Sequence, residues 1–519
     1  MRKVSRRMFL GGLAAGAALP GLATPAILRA ASRPQTLDGV ASGDFGADSA
    51  VIWSRSDQPS RMLVEWSTTE SFATVERVRG IDALASRDFT TTARLTGLPA
   101  GQTIFYRVRF EGSDGMSEPT SGRLRMPSKT RNGKVSFVFG GDQCGAGWGI
   151  NPQWGGIRIY DTMLKTEPDL LIHLGDRIYA DNVLSESVKL EDGSLWRNHV
   201  IPAKMGAAQS LDDYRGNYRY NLMDENIRRF AANVPQFHTW DDHETINDWW
   251  PGKIISESQT KRLHYRSTDV DKLAANARRA FFEYSPVSDD TIRRGAIWRP
   301  ISYGPMLDVF LLDQRSHRSA NKIDGRNDMD DGAVLMGRAQ IDWLKTALAG
   351  SKATWKVIAS PLPLAHINRG NSEGDFDKFA NGQGGQPVGR EREAAEILSW
   401  IKAKNIHNTF WIAADVHYAA ANQFHPDRAA FKDFRPFWEF IAGPFHTQAF
   451  PPGRLDPTFG PQNHYASTHG VKGNQPPSAG WCNFGHAEID AASGAMTLSF
   501  RNDRNQVMWL KTLSPEQST

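Results

Sequence analysis

The sequence predicts a mixed α/β (α+β) protein of two unlike modules, a small β-sandwich followed by a larger layered domain. Three observations predict this: a first stretch of short alternating segments, a second stretch in which apolar strand-like runs alternate with amphipathic helices, and metal-competent side chains that recur just after those runs. At 519 residues the chain is also too long for one ordinary core, so more than one domain is expected.

The first 31 residues stand apart from both modules. Ser5-Arg6-Arg7 precedes Phe9-Leu10 and a Gly/Ala-rich apolar run that reaches Ala23, with small residues from Ala26 to Ala31. This is a twin-arginine export pattern. A membrane anchor is the competing reading, but the run is short of the roughly 20 residues a span needs and is diluted by Gly and Pro20. Removing residues 1–31 takes away five basic residues and no acid, which moves the formal net charge from +4 to −1. The basic balance therefore belongs largely to the leader, and net charge implies no nucleic-acid or other polyanion surface. The expected location is the periplasm or outside the cell, reached through the twin-arginine export machinery, with no stable membrane span.

The β-sandwich is expected over residues 35–128. Ala50–Trp53, Met62–Trp66, Thr90–Leu95 and Ile104–Phe110 alternate with period two and are separated by Gly, Pro, Asp and Ser. The stretch Leu95–Val108 resembles a fibronectin type III or immunoglobulin-like module, and nothing in it carries chemistry.

The layered domain is expected over residues 134–513. Its strand-like runs are Val135–Phe139, Leu170–Leu174, Val234–His238, Met306–Leu312, Trp355–Ala359 and Thr409–Ala413; its helical runs are Ile157–Lys165, Arg338–Leu348 and Glu391–Ala403. The Gly-, Asn- and Asp-rich run Asn368–Pro387 reads most simply as a surface loop.

Ligands of α/β folds bind beyond the carboxyl ends of strands, so the residues just after each run carry the functional signal. Gly140–Gly145 holds Asp142 and Cys144; a thiolate is a good transition-metal ligand, while a buried inert Cys and an Asp that caps a turn are the structural alternatives. Gly175–Asp181 holds Asp176, whose two oxygens can bridge two cations, and Tyr179, a phenolate ligand for a hard ion. Trp240–Asp248 packs four acids and His243 into nine residues, a crowding that a helix cap alone does not explain. Asp415 and His417, two apart on a segment read as extended, share a face. Cys144 and Cys482 are the only cysteines, and either one disulfide or free thiols fit.

Together these motifs resemble the calcineurin-like metallophosphoesterases, and within them the alkaline phosphatase D (PhoD) group. Asp176 and Tyr179 match Gly-Asp-x-x-Tyr, Trp240–Glu244 is similar to Gly-Asn-His-Glu, and Asp415-x-His417 is similar to Gly-His-x-His. The resemblance runs from about Thr36 to near Lys511 and implies an αββα sandwich. It also implies one cation on Cys144, Asp176, Tyr179 and His417, with a second on Asp176, Asp242 and Asp415 and Asn247 nearby. The implied metals are Fe3+ and Ca2+. Asp142-Gln143 departs from the Ser or Ala that the group commonly has before its Cys, so Asp142 is a further candidate ligand; His366 is a weak candidate for an additional one.

The implied substrate is a small phosphoester, monoester or diester, cleaved by a hydroxide bridging the two metals. Asp242 and His243 are the candidate catalytic residues, with His243 protonating the leaving oxygen. Asn247 and Arg315, with Arg318, are candidates for binding phosphate, although an Asp313–Arg315 pair is an equal structural reading. Two other functions compete: a cell-surface binding protein with an inactive hydrolase-like domain, and a thiol hydrolase using Cys144.

Overall fold

The structure, a computed structural model, describes residues 33–321, 333–367, 377–471 and 475–516. The export pattern of residues 1–31 and the first part of the Asn368–Pro387 run lie outside these.

The first module is built from strands that bury every second side chain. In Thr103–Gly112, Ile104, Tyr106, Val108 and Phe110 point inward while Phe105, Arg107 and Arg109 point out. This strand pairs with Ser60–Ser67 and Thr120–Arg125 in one sheet, whose other members are Glu76–Ala83 and Gly115–Met116. Val40–Gly43, Ala50–Arg55 and Thr90–Leu95 form the facing sheet. The apolar faces meet in one core that includes Ile52, Val64, Leu95 and Tyr106.

The second module has four layers. One six-stranded sheet runs in the order Gln236–His238, Leu170–His173, Val135–Gly140, Asn483–Ile489, Met496–Asn502, Val507–Leu513, with its first three strands parallel. The other has seven: Arg299–Tyr303, Leu307–Leu311, Trp355–Ala359, Thr409–Ala413, Phe437–Ile441, Ala420–Phe424, Pro461–Ala466, with the second to fifth parallel. Phe137, Phe139 and Ile172 of the first sheet pack on Val309, Val357 and Ile412 of the second. Helices Ile159–Leu164 and Glu225–Asn233 cover the outside of the first sheet. Helices Arg338–Gly350 and Glu391–Ala403 cover the outside of the second. The central strands are thus buried on both faces, which is why they read as continuous apolar runs rather than alternating ones.

The two modules dock closely. Trp53 Nε1 donates to the Glu283 carbonyl at 2.8 Å, Arg215 reaches the Ser86 carbonyl at 2.8 Å, and Arg299 pairs with Asp44 at 3.0 Å.

Candidate metal centre and its cleft

The carboxyl ends of the parallel strands in both sheets open onto one rim, and a cleft of ≈ 870 Å³ lies there. Its walls include Asp176, Asp242, His243, Asp415 and His417, while no residue of the β-sandwich lines it.

The chain enters this rim through tight backbone turns. Asp142, Cys144, Asp176, Asp248, Asp415 and His417 all have positive φ, between 52° and 73°. Such a conformation costs a non-glycine residue about 1 kcal/mol or more, and its concentration at one rim marks a site held by its surroundings. Gly175 permits one close approach: a Cβ there would stand 2.5 Å from the Asp241 Cβ. Glu244, fully buried, ties the loops together by accepting from the backbone N–H groups of Asp176, Arg177 and Asp241 at 2.7–3.0 Å.

Two overlapping groups of ligand atoms result. Oxygens of Asp142 and Asp176 and a ring nitrogen of His417 lie within 4.8 Å of one another, as do those of Asp176, Asp242 and His243. Tyr179 Oη is 2.9 Å from His417 Nε2, so the phenol stands beside the first group. Two carboxylates this close repel by about 3–4 kcal/mol at the effective dielectric of a protein site. Burial first, and then neighbouring carboxylates, push the carboxyls of Asp142 and Asp176 well above the usual range. Asp142 Oδ2 is moreover buried without a hydrogen-bond partner. Oxygen and imidazole donors with an orphaned carboxylate oxygen fit a bound cation, and the first group with Tyr179 suits a hard, highly charged one. A third acidic group, Asp242, Asp248 and Asp377, is already served by Arg315, which pairs with Asp377 at 2.7 Å and lies 3.6 Å from Asp242.

His243, a member of the second group, is backed by a further acid, Asp181. Its Nδ1 lies 2.7 Å from Asp181 Oδ1, and its ring stacks on Tyr179 at 4.1 Å. Burial opposes its protonation, but Asp181, Asp242 and Asp176 together outweigh burial and raise its pKa well above the ordinary histidine value. Burial takes His417 the other way, to about 3.

Several expectations need correction. Cys144 does not reach the cation groups: it is buried in an apolar cluster with Ile150, Tyr160, Phe445 and Cys482, and burial pushes its thiol up. The reason is local. Gln143 N–H bonds to the Asp176 carbonyl and Cys144 N–H to that of His446, and with Asp142 and Cys144 both left-handed the two side chains diverge. Asp142 takes the inward position, and a buried thiol facing no cleft removes the thiol-hydrolase alternative. Both cysteines are free.

Arg315 is not exposed to substrate. It is wholly buried, bidentate to Asp377 and bonded to Asp241 at 2.6 Å, and Arg318 also pairs with Asp377. The Asp313 carboxylate accepts from the Arg315 backbone N–H rather than from its guanidinium. Asp415 and His417 converge through a left-handed turn, not an extended segment. Asp415 holds the Lys378 ammonium at 2.5 Å and is in none of the cation groups among the described residues. Asn247 lines the cleft, its amide bonded to Asp248 at 2.7 Å, and His366 lines it too.

Asp377 and Lys378 lie in the run read from sequence as a surface loop, yet both are buried. Their charge amid Gly and Asn was the available signal. Asp181 was visible too, two residues beyond Tyr179.

A family model described as PhoD-like phosphatase matches residues 137–500. The chain belongs to the PhoD-like phosphatase family. The family's N-terminal domain model matches residues 21–128. Alkaline phosphatase D of Bacillus subtilis (strain 168) is 28% identical over 417 residues, 76% of this chain and 66% of the relative, just under two thirds of its length. Among solved structures, one titled "Structure of PhoD" matches with a TM-score of 0.70 at 20% identity, covering 94% of this chain and 93% of that one. Purple acid phosphatase PPD1 from yellow lupin (Lupinus luteus) seeds matches with a TM-score of 0.58 at 14% identity, covering 93% and 74%. These structural likenesses show the shared calcineurin-like fold. Among the described residues no helix is long and apolar enough to cross a membrane.

Proposed function

We propose that this PhoD-like chain is an exported, metal-dependent phosphoesterase acting on small phosphate monoesters, diesters or both. The observation that carries the reading is the convergence of Asp142, Asp176, His417, Asp242 and His243 in two overlapping close-set groups, all but Asp142 lining one cleft, from strand ends spread over nearly three hundred positions.

Asp142, Asp176 and His417, with Tyr179 beside them, would hold one cation, ferric iron by the hardness of the donors. Asp176 and Asp242 would share a second, for which calcium is the candidate. Bound there, the cations supply Lewis acidity toward a phosphoryl oxygen and an attacking water. The protein's own groups do the rest. Asp181 holds the His243 ring at Nδ1, and its carboxylate favours the charged ring, which keeps a proton available for the leaving oxygen. Asn247 and Tyr418 border the room left for the ester group.

The test uses holoenzyme purified from its native host. Hydrolysis of an aryl phosphate monoester and of a bis-aryl diester should vanish after chelation and return with metal, and elemental analysis should find iron. Activity that survives complete metal removal would overturn the reading. Export through residues 1–31 is checked by changing Arg6 and Arg7 to Lys, which should leave the chain inside the cell.

A further inference from the structure

We propose that the Lys378 ammonium takes the place of a cation at Asp415 and binds a phosphoryl oxygen of the substrate. The inference rests on the phosphoesterase reading above. The resemblance that pointed to two cations assigns the second to Asp176, Asp242 and Asp415, and the side chains depart from that set at one position. Lys378 Nζ lies 2.5 Å from Asp415 Oδ2, with the lysine side chain 1% exposed and the aspartate 14%. Asp176 and Asp242 retain a close-set group with His243, but Asp415 belongs to no such group among the described residues. A fixed positive charge already neutralises the carboxylate that a cation would need.

The lysine is held in place by its neighbour. Asp377 is clamped through both oxygens by Arg315 at 2.7 Å and by Arg318 at 3.0 Å, all of them buried. The backbone that carries Lys378 is therefore anchored, and the ammonium is set before substrate arrives. Among the described residues Asp415 takes one of its three donors, which leaves capacity for an anionic oxygen.

The cleft also needs such a charge. Asp176, Asp181, Asp242, Asp248 and Asp415 line it, a strongly acidic wall for a phosphate to approach. Of the lysines and arginines among the described lining residues, Arg262 is exposed on helix Glu257–Leu263 and Lys378 alone is buried. Lys378 thus supplies, as part of the chain, positive charge that exchangeable Ca2+ would otherwise bring.

Calorimetric titration of the holoenzyme tests both halves. With CaCl2 as the probe, wild type and Asp415→Asn should take up the same amount. Lys378→Ala should gain about one equivalent of Ca2+ on the freed carboxylate, and Lys378→Ala/Asp415→Asn should lose it again. With inorganic phosphate as the probe, Lys378→Met should bind about tenfold or more weakly at unchanged iron content, while Lys378→Arg stays near wild type. Ca2+ uptake by wild type that Asp415→Asn abolishes would overturn the proposal, as would Lys378→Met binding phosphate as tightly as wild type. If the lysine variants do not fold, the comparison of wild type with Asp415→Asn still decides. Failure of wild type to hydrolyse any phosphoester would instead defeat the functional reading and leave the Ca2+ titrations to judge Lys378.

Discussion

His243 Nδ1 and Asp181 Oδ1 lie 2.7 Å apart, and this bond aims and charges the imidazole that faces the cleft. If His243 delivers a proton, His243→Ala should lower kcat by about 10²- to 10⁴-fold with metal content kept. Loss of metal and turnover in equal measure would make it a ligand instead. Asp181→Asn removes a carboxylate that raises the His243 pKa, so the proton is lost at lower pH and the alkaline limb of the pH–rate profile should move to lower pH. A profile that keeps its alkaline limb in Asp181→Asn would separate Asp181 from the proton transfer.

Asp142 and Cys144 exchange the roles that residue chemistry alone would give them. Cys144→Ala should retain iron and turnover and cost about 1 kcal/mol of stability through the lost packing in its apolar cluster. Asp142→Ala should lose iron. Elemental analysis of the two variants side by side decides between them, and loss of iron from Cys144→Ala would restore the thiol as a ligand.

The legible parts of this chain are those whose surroundings repeat. Val135–Phe139, Trp355–Ala359 and Thr409–Ala413 are sandwiched between a helix layer and a facing sheet, so burial on both sides wrote them as unbroken apolar runs. The residues just past them then marked the rim, and Asp142, Asp176, Asp242, Asp415 and His417 all reach it. Direction was harder to read than place. Whether Asp142 or Cys144 turns inward depends on two left-handed φ angles that residue order does not specify. Long-range pairing was harder still: Arg315 finds Asp377 sixty-two positions away, inside a run whose Gly and Asn content is that of a surface loop.

Arg315 should behave as a keystone of the rim and not as a phosphate clamp. Its guanidinium is wholly buried against Asp241, Asp242 and Asp377, and burial, which disfavours its charge, is outweighed by these three carboxylates. Arg315→Met leaves Asp241 without its ion-pair partner and takes from Asp377 one of its two arginines, and removing one partner of a buried ion pair costs about 3–5 kcal/mol. The variant should show a large drop in its urea midpoint, or fail to accumulate. A normally stable Arg315→Met protein with only a raised KM would return Arg315 to the substrate.

The acidic rim finally predicts how pH and metal act together on stability. In the metal-free protein Asp142 and Asp176 have raised pKa values, and Asp248 is pushed up to about 7, by burial first and then by Asp377 and Asp242. A carboxyl raised on folding contributes stability that is full below its unfolded pKa and is lost as pH rises through the folded value. The metal-free protein should therefore melt at progressively lower temperature as pH rises from about 4 to about 7 through Asp248, with Asp142 and Asp176 adding to the loss in the same direction. A bound cation favours the ionised carboxylates, so the metal-loaded protein escapes this loss. His173 and His238, buried with lowered pKa values, are common to both forms and cancel in the difference. The gap in Tm between loaded and chelated protein should widen as pH rises, and scanning calorimetry of both forms across that range measures it; a gap that stays constant or narrows would mean that these carboxylates do not hold the metal.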